Sequence, residues 1–170
     1  MLEKNKFPSR KAMRLKGFDY SNEGAYCLTL CTQNRKNYFG KIERVDLLSE
    51  PYICYSKYGK IVAEQIAEIN RTYTYMEITN YSIMPNHLHM IVFVESGASG
   101  TPPPTSDVQN GLSDSANAAI PALVSTLKRL TNKKTGVKLW QRGYYDHILR
   151  DENDYLRAWQ YIYENPFGKE

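Results

Sequence analysis

Residues 84–92 read Met-Pro-Asn-His-Leu-His-Met-Ile-Val, which places two histidines on either side of one leucine and ahead of an apolar run. Successive side chains of a β-strand alternate between faces, so His87 and His89 point the same way, about 7 Å apart, and Leu88 points to the opposite, buried face. Two imidazoles side by side on a strand can share one divalent metal ion. The other interpretation is a polar pair on a solvated sheet face.

The residues before this stretch predict its partner strand. Residues 77–84 alternate between apolar and polar side chains, and Pro85 and Asn86 form a tight turn. Two strands joined by so short a connection form an antiparallel hairpin. The histidines therefore begin the second strand, beside the turn, where a site can open to solvent.

The flanking elements extend this hairpin into a sheet with helices. A buried strand is predicted at 25–32, a short paired strand at 38–42, a helix at 56–70 with Ser56 as N-cap, a helix at 122–132 ended by Gly136, a short strand at 138–141, an extended segment at 144–150, and a last helix from Asp151 to Glu164. This βαββαβ order plus a final helix predicts an α+β, ferredoxin-like antiparallel sheet with helices on one face.

Length and composition fit one soluble domain over residues 1–170, of which 42% are apolar and 24% charged. Residues 1–23 are predicted to be a basic arm. Residues 95–121 are rich in Gly, Pro and Ser and are predicted to be a flexible insertion, or alternatively a flap over a substrate. Three cysteines without paired spacing indicate a reducing compartment, and no apolar run has the length of a membrane span.

The basic residues favour a polyanionic partner. The net charge is +4 and the chain has fourteen tyrosines, a composition that suits nucleic acid as well as an ordinary solvated surface. The candidate DNA contacts are Arg10, Lys11, Arg14, Lys16, Lys128, Arg129, Lys133, Lys134 and Arg142.

The last helix carries a second set of candidate ligands. Leu156, Trp159 and Tyr163 are three and four residues apart, and we predict that they pack on the protein. Tyr161 and Asn165 are four apart and share another face, where they present a phenol and an amide oxygen. If that face looks toward the histidines, these groups surround one ion. The alternative is an ordinary amphipathic helix that ends at an asparagine.

These motifs together resemble a known family. Residues 85–89 (Pro-Asn-His-Leu-His), 145–150 (Tyr-Asp-His-Ile-Leu-Arg) and 161–166 (Tyr-Ile-Tyr-Glu-Asn-Pro) resemble, in this order, the one-tyrosine (Y1) transposases of the IS200 type, and among them the REP-associated tyrosine transposases. These are single-strand DNA nucleases with a His-hydrophobic-His (HUH) motif. The resemblance covers nearly the whole chain except 95–121 and also includes 14–20 and 31–35.

The resemblance implies a role for each site residue. His87, His89 and Asn165 are implied as ligands of Mg²⁺ or Mn²⁺, and Tyr161 as the nucleophile, with Tyr155 and Tyr163 as nearby alternatives. His147 matches a family histidine that contacts DNA or braces the site. Members usually continue well beyond the position of Pro166, whereas this chain ends four residues later, so the resemblance implies that a docking tail is missing.

The activity implied is metal-dependent cleavage and joining of single-stranded DNA beside a hairpin, through a 5′-phosphotyrosine and a free 3′-OH. The hairpin would be REP-like or an element end. The resemblance also implies a cytoplasmic, nucleoid-associated bacterial protein, either a monomer or a homodimer that exchanges the last helix. Two alternatives are a domesticated hairpin-binding protein without cleavage activity and a metal enzyme that acts on small phosphates.

Overall fold

The computed structural model describes residues 23–46, 48–95 and 119–165. Its elements are β1 (Gly24–Cys31), β2 (Gly40–Glu43), β3 (Tyr52–Tyr55), α1 (Lys57–Thr72), β4 (Met76–Met84), β5 (His87–Val94), α2 (Ala119–Thr135), β6 (Tyr145–Leu149) and α3 (Glu152–Glu164). The basic arm with Arg10, Lys11, Arg14 and Lys16, the interior of the 95–121 insertion, and Pro166 lie outside the described residues.

The main sheet has four antiparallel strands in the order β4-β5-β1-β6. Helix α1 connects β1 to β4 through the inserted β2-β3 hairpin, and α2 connects β5 to β6. This is the ferredoxin-like arrangement, so the predicted fold class is confirmed. The predicted hairpin is also confirmed, because Met84 pairs with His87 across the Pro85-Asn86 turn.

The two faces of the sheet are covered differently. On one face, Leu28 of β1 and Leu88 and Met90 of β5 are fully buried in the main core with apolar residues of α1 and α2. On the other face, Ile91 of β5 packs with Ile162 of α3 in a smaller cluster. The sheet therefore lies between two helices on one side and the last helix on the other, which sets α3 against the histidine face.

Local sequence signals place the helix ends. Ser56 Oγ accepts hydrogen bonds from the backbone N–H groups of Tyr58 and Gly59, at 3.1 and 3.2 Å. Asp151 Oδ1 accepts one from the Asp154 N–H at 2.8 Å. Such caps satisfy helix N–H groups that lack an intrahelical partner. Gly136 follows α2 with a φ of +66°, a left-handed conformation that glycine adopts without strain.

The prediction for residues 138–141 was wrong. This segment is no strand and forms a single bridge between Trp140 and Thr32. Leu139 and Trp140 are consecutive and both buried, which a strand with one buried face cannot achieve. The Trp140 ring lies 4.9 Å from the Phe39 ring, and its Nε1 donates to Thr131 Oγ1. The short strand β3 was not predicted; it pairs with β2.

Within the described ranges, no helix combines the length and apolar character needed to cross a bilayer.

Candidate active site

His87 and His89 lie at the start of β5, on the face that α3 covers. Their ring centroids are 4.6 Å apart and the rings are nearly perpendicular. Leu88, between them, is fully buried on the opposite face, as the alternation predicts. His89 is only 5% exposed because it also lies beneath α3, whereas His87, at the strand end, is half-buried.

Each imidazole has its Nδ1 engaged by a polar neighbour. The Asn86 Oδ1 lies 2.6 Å from His87 Nδ1, and the Thr29 Oγ1 lies 2.8 Å from His89 Nδ1. An amide oxygen only accepts, so His87 Nδ1 carries the proton, and its Nε2 lone pair is available. Thr29 can likewise accept from His89 Nδ1–H. Such outer partners fix the ring orientation and tautomer of metal-binding histidines.

Burial and nearby charge keep both imidazoles neutral at pH 7. Burial is the main cause that lowers the pKa of His87 to about 4, and the Arg35 charge adds to it. Burial, then His87 and Arg35, lowers the pKa of His89 to about 4. The neutral imidazole is the form that binds a metal ion.

Tyr161 of α3 reaches the same place within the same chain. Its ring centroid lies 5.1 Å from that of His89, in an edge-to-face arrangement. Ile162, the buried residue of α3, anchors the helix to the sheet, and the preceding Tyr161 remains 56% exposed at the edge of this contact. Asn165 is half-buried one turn later, at the C-cap of α3. The structure thus brings His87, His89 and Tyr161 together.

The packing stripe predicted for α3 was wrong. Leu156, Trp159 and Tyr163 are all exposed, and the Trp159 and Tyr163 rings stack on each other with centroids 5.3 Å apart. The residues that pack on the sheet are Tyr155, Ala158 and Ile162. They have the same three-and-four spacing, shifted by one position. The small Ala158 side chain allows close contact between the helix and the sheet. The prediction had instead assumed that the larger side chains of Leu156, Trp159 and Tyr163 would be the ones to pack.

The cations proposed to contact DNA do not form one surface with the histidines. The Lys128 Nζ donates to the Gln141 and Gly143 carbonyls, at 2.8 Å each, and burial lowers the pKa of Lys128 to about 8. Lys128 therefore braces the loop before β6. Arg129, Lys133, Lys134 and Arg142 are exposed, and the first three belong to α2, on the far side of the sheet. His147 is exposed on β6, with its Nε2 3.9 Å from Asp154 Oδ2.

The donor set fits a divalent ion that is only partly held by protein. In the part of the chain that the structure describes, no group of three or more His, Cys, Asp or Glu side chains comes together. The donors that the structure brings together are the two imidazoles of His87 and His89 and the phenol of Tyr161. Mg²⁺ and Mn²⁺ commonly combine few protein ligands with phosphate oxygens and waters, so the residues are compatible with such an ion.

Arg35 and Thr29 are two site residues that the sequence analysis missed. Thr29 lies opposite His89 in the β1–β5 register, so the strand alternation contained a signal for it once the pairing was known. Arg35 lies in a short loop after β1, the 3₁₀ turn Gln33–Arg35. Periodicity gives no information about such a loop.

The low pKa values predict acid sensitivity of the metal-free protein. The unfolded histidines titrate near pH 6.5, so between about pH 6.5 and 4 the unfolded chain binds protons that the folded chain does not. Stability therefore falls as the pH drops through this window. We expect the double variant His87→Gln/His89→Gln to lose less free energy of unfolding over this pH range than the wild-type protein, by a difference on the order of 2 kcal/mol. The difference is no larger because water screens the charge on the half-buried His87. Urea unfolding in EDTA at pH 7.5 and at pH 4.5 measures the free energy of unfolding of the wild-type protein and of the variant. An equal loss of this free energy in the two proteins would contradict the prediction.

No family model matches the chain. An uncharacterised protein of Haemophilus influenzae (strain ATCC 51907 / DSM 11121 / KW20 / Rd) is 29% identical over 164 residues, which cover 92% of this chain and 88% of that protein.

The solved structures that are similar to the chain include two transposase structures. The structure of a REP-associated tyrosine transposase bound to a REP hairpin has 20% identity and a TM-score of 0.57, and covers 91% of this chain and 73% of its own. A crystal structure described as a transposase of Deinococcus radiodurans R1 has 19% identity, covers 90% of this chain and 98% of its own, and has a TM-score of 0.40, too low to support an argument. In its fold, the chain is similar to the REP-associated tyrosine transposase.

Proposed function

We propose that the chain is a metal-dependent endonuclease and strand transferase for single-stranded DNA beside a hairpin. The observation that carries the proposal is the contact of the Tyr161 ring with His89 in one chain, beside a second neutral imidazole. A nucleophile next to a pair of imidazoles that can bind a metal ion suits phosphodiester cleavage through a covalent intermediate. No second copy of the chain is needed to join these groups.

In this proposal, His87 and His89 would hold Mg²⁺ or Mn²⁺, with Asn165 as the third protein ligand. The ion, when bound, polarises the phosphodiester and offsets its negative charge. Asn86 and Thr29 hold the two rings in the tautomer that leaves Nε2 free. His89 in turn packs against the Tyr161 ring and limits the positions of its hydroxyl.

Tyr161 carries out the covalent step. A phenol has a pKa near 10 and is a weak nucleophile at neutral pH, so its position beside the phosphate matters most. Its Oη forms a bond to phosphorus as the bond from phosphorus to the 3′ oxygen breaks, and the phenolic proton is lost while the 3′ oxygen gains one. The product is a 5′-phosphotyrosine with a free 3′-OH, and a second 3′-OH can reverse the step and join two ends.

The DNA partner we propose is a hairpin with flanking single strand. A hairpin is what the REP-associated transposase of similar fold is bound to. We propose that the exposed Arg142 and His147 and the basic residues before position 23 contact its backbone. Arg129, Lys133 and Lys134 of α2, on the far side of the sheet from the histidines, are proposed to contact a more distant part of the same DNA. Such a substrate would place the protein in the bacterial cytoplasm, at the nucleoid.

A covalent-trapping assay tests the proposal. Labelled hairpin DNA with single-stranded flanks is incubated with the protein in Mn²⁺ or in EDTA and analysed on a denaturing gel. We expect a protein–DNA band and a fragment with a 3′-OH in Mn²⁺, and neither in EDTA. Salt-dependent binding that EDTA leaves unchanged, with no covalent band in either buffer, would instead identify a hairpin-binding protein without cleavage activity.

A further inference from the structure

Arg35 is an exposed cation on the loop that follows β1. Among the described residues, no carboxylate forms an ion pair with it. Its loop follows Cys31, the last residue of β1, which pairs with His87 in the β1–β5 register, so the loop begins beside the histidine pair.

The backbone at this position is strained. Asn34 and Arg35 have φ angles of +55° and +54°, so two consecutive residues with side chains adopt the left-handed conformation. Non-glycine residues rarely adopt it, and such strain persists where the surroundings impose it, often at functional sites. Glycine would fit this backbone with less strain, yet position 35 holds an arginine.

Hydrogen bonds fasten this loop to the turn that precedes the histidines. The Thr32 N–H donates to the Asn86 carbonyl, and the Phe39 N–H donates to the Pro85 carbonyl, both at 3.0 Å. Asn86 also contacts His87 through its side chain. The loop ends on either side of Arg35 are therefore fixed relative to the histidine turn, so the loop that carries Arg35 is kept near the pair.

We propose that Arg35 forms, with His87 and His89, a binding subsite for the phosphodiester that Tyr161 attacks. A guanidinium presents N–H donors in a planar fork that matches two non-bridging phosphate oxygens. The inference rests on the proposed function for the identity of that phosphate. It assigns to Arg35 the task of holding the substrate while Tyr161 reacts.

This assignment predicts opposite effects on two ligands. In the protein without DNA, the Arg35 charge repels a divalent ion at the histidine pair. With DNA bound, the phosphate lies between the two positive charges and attracts both. Arg35 therefore weakens metal binding to the free protein and strengthens DNA binding, whereas a residue needed only for folding would support both.

Two affinities measured on Arg35→Gln test the inference, with Lys36→Gln as a matched control for loss of an exposed charge on the same loop. Calorimetry gives the Mn²⁺ affinity without DNA, and fluorescence anisotropy gives the hairpin affinity in EDTA. We expect Arg35→Gln to bind Mn²⁺ about threefold more tightly and DNA about tenfold more weakly, with much smaller changes in Lys36→Gln. The inference would be overturned if Arg35→Gln lost no more DNA affinity than Lys36→Gln, or if Arg35→Gln lost affinity for both Mn²⁺ and DNA.

Arg35→Gly separates binding from folding. Glycine accepts a positive φ, so this variant should keep or raise the melting temperature while it loses DNA affinity as Arg35→Gln does. A lower melting temperature together with the DNA loss would show that Arg35 acts through the fold. Neither the Mn²⁺ affinity nor the DNA affinity depends on cleavage. A wild-type protein that forms no covalent band would therefore refute the proposed function, and the two affinities would still test the role of Arg35.

Discussion

Tyr161→Phe is expected to lower formation of the covalent protein–DNA band by at least about 10³-fold, because phenylalanine has no oxygen to bond to phosphorus. The substitution removes a single oxygen atom from a side chain that is 56% exposed, so the fold and DNA binding should remain. The phenyl ring of the variant would still pack on His89. Hairpin affinity, measured by anisotropy, should therefore stay within about twofold of the wild-type value while cleavage is lost.

Tyr163→Phe is the matched control for this variant. Tyr163 lies two residues further along α3, is 59% exposed, and stacks its ring on Trp159. The variant should form the covalent band at the wild-type rate. A band that persists in Tyr161→Phe and disappears in Tyr163→Phe or Tyr155→Phe would move the nucleophile to that tyrosine and refute the role given to Tyr161.

His89→Gln is expected to weaken Mn²⁺ binding by at least about 100-fold, because the ion loses one of the two imidazoles of its site. Glutamine keeps a polar group near Thr29, so the half-buried Thr29 hydroxyl keeps a hydrogen-bond partner within reach. Calorimetric titration with Mn²⁺ in the absence of DNA measures the change. Covalent DNA cleavage should fall in parallel and should recover in part at high Mn²⁺ concentration.

His147→Gln provides the comparison, since it removes the third histidine of the chain from an exposed position on β6. It should leave Mn²⁺ affinity unchanged. Equal losses in His89→Gln and His147→Gln would show that the measured ion binds to exposed histidines in general. An unchanged affinity in His89→Gln with a native melting temperature would refute the metal-binding role of the pair.

The histidine hairpin was the most predictable part of the molecule. The alternation of side chains along residues 87–92 predicted that Leu88 lies in the core and that both imidazoles lie on the other face. The two-residue turn before His87 allows β5 to pair with the preceding strand, β4, in one register only. Strand pairing is short-range here, so local sequence contained the needed information. The same holds for Ser56 and Asp151, whose capping oxygens act within three residues.

The parts that escaped prediction depend on contacts distant in sequence. Two helical stripes on α3 have the same spacing, and only the shape of the sheet face selects the one with Ala158 and Ile162. Lys128 was predicted to be a surface cation, but its Nζ donates hydrogen bonds to carbonyl oxygens of the loop at 141–143, more than ten residues away in sequence. Arg35 is set by a left-handed loop that carries no periodic signal.

Helix α3 is attached to the sheet by a small apolar footprint, with Ile162 as its buried residue. Local opening of an element costs less free energy when few apolar contacts hold it. We therefore expect α3, which carries Tyr161, to open at a lower cost in free energy than the four-stranded sheet and its main core. If Tyr161 is covalently bonded to a DNA end, such an opening of α3 would move this end away from the histidines and bring it to a second DNA strand.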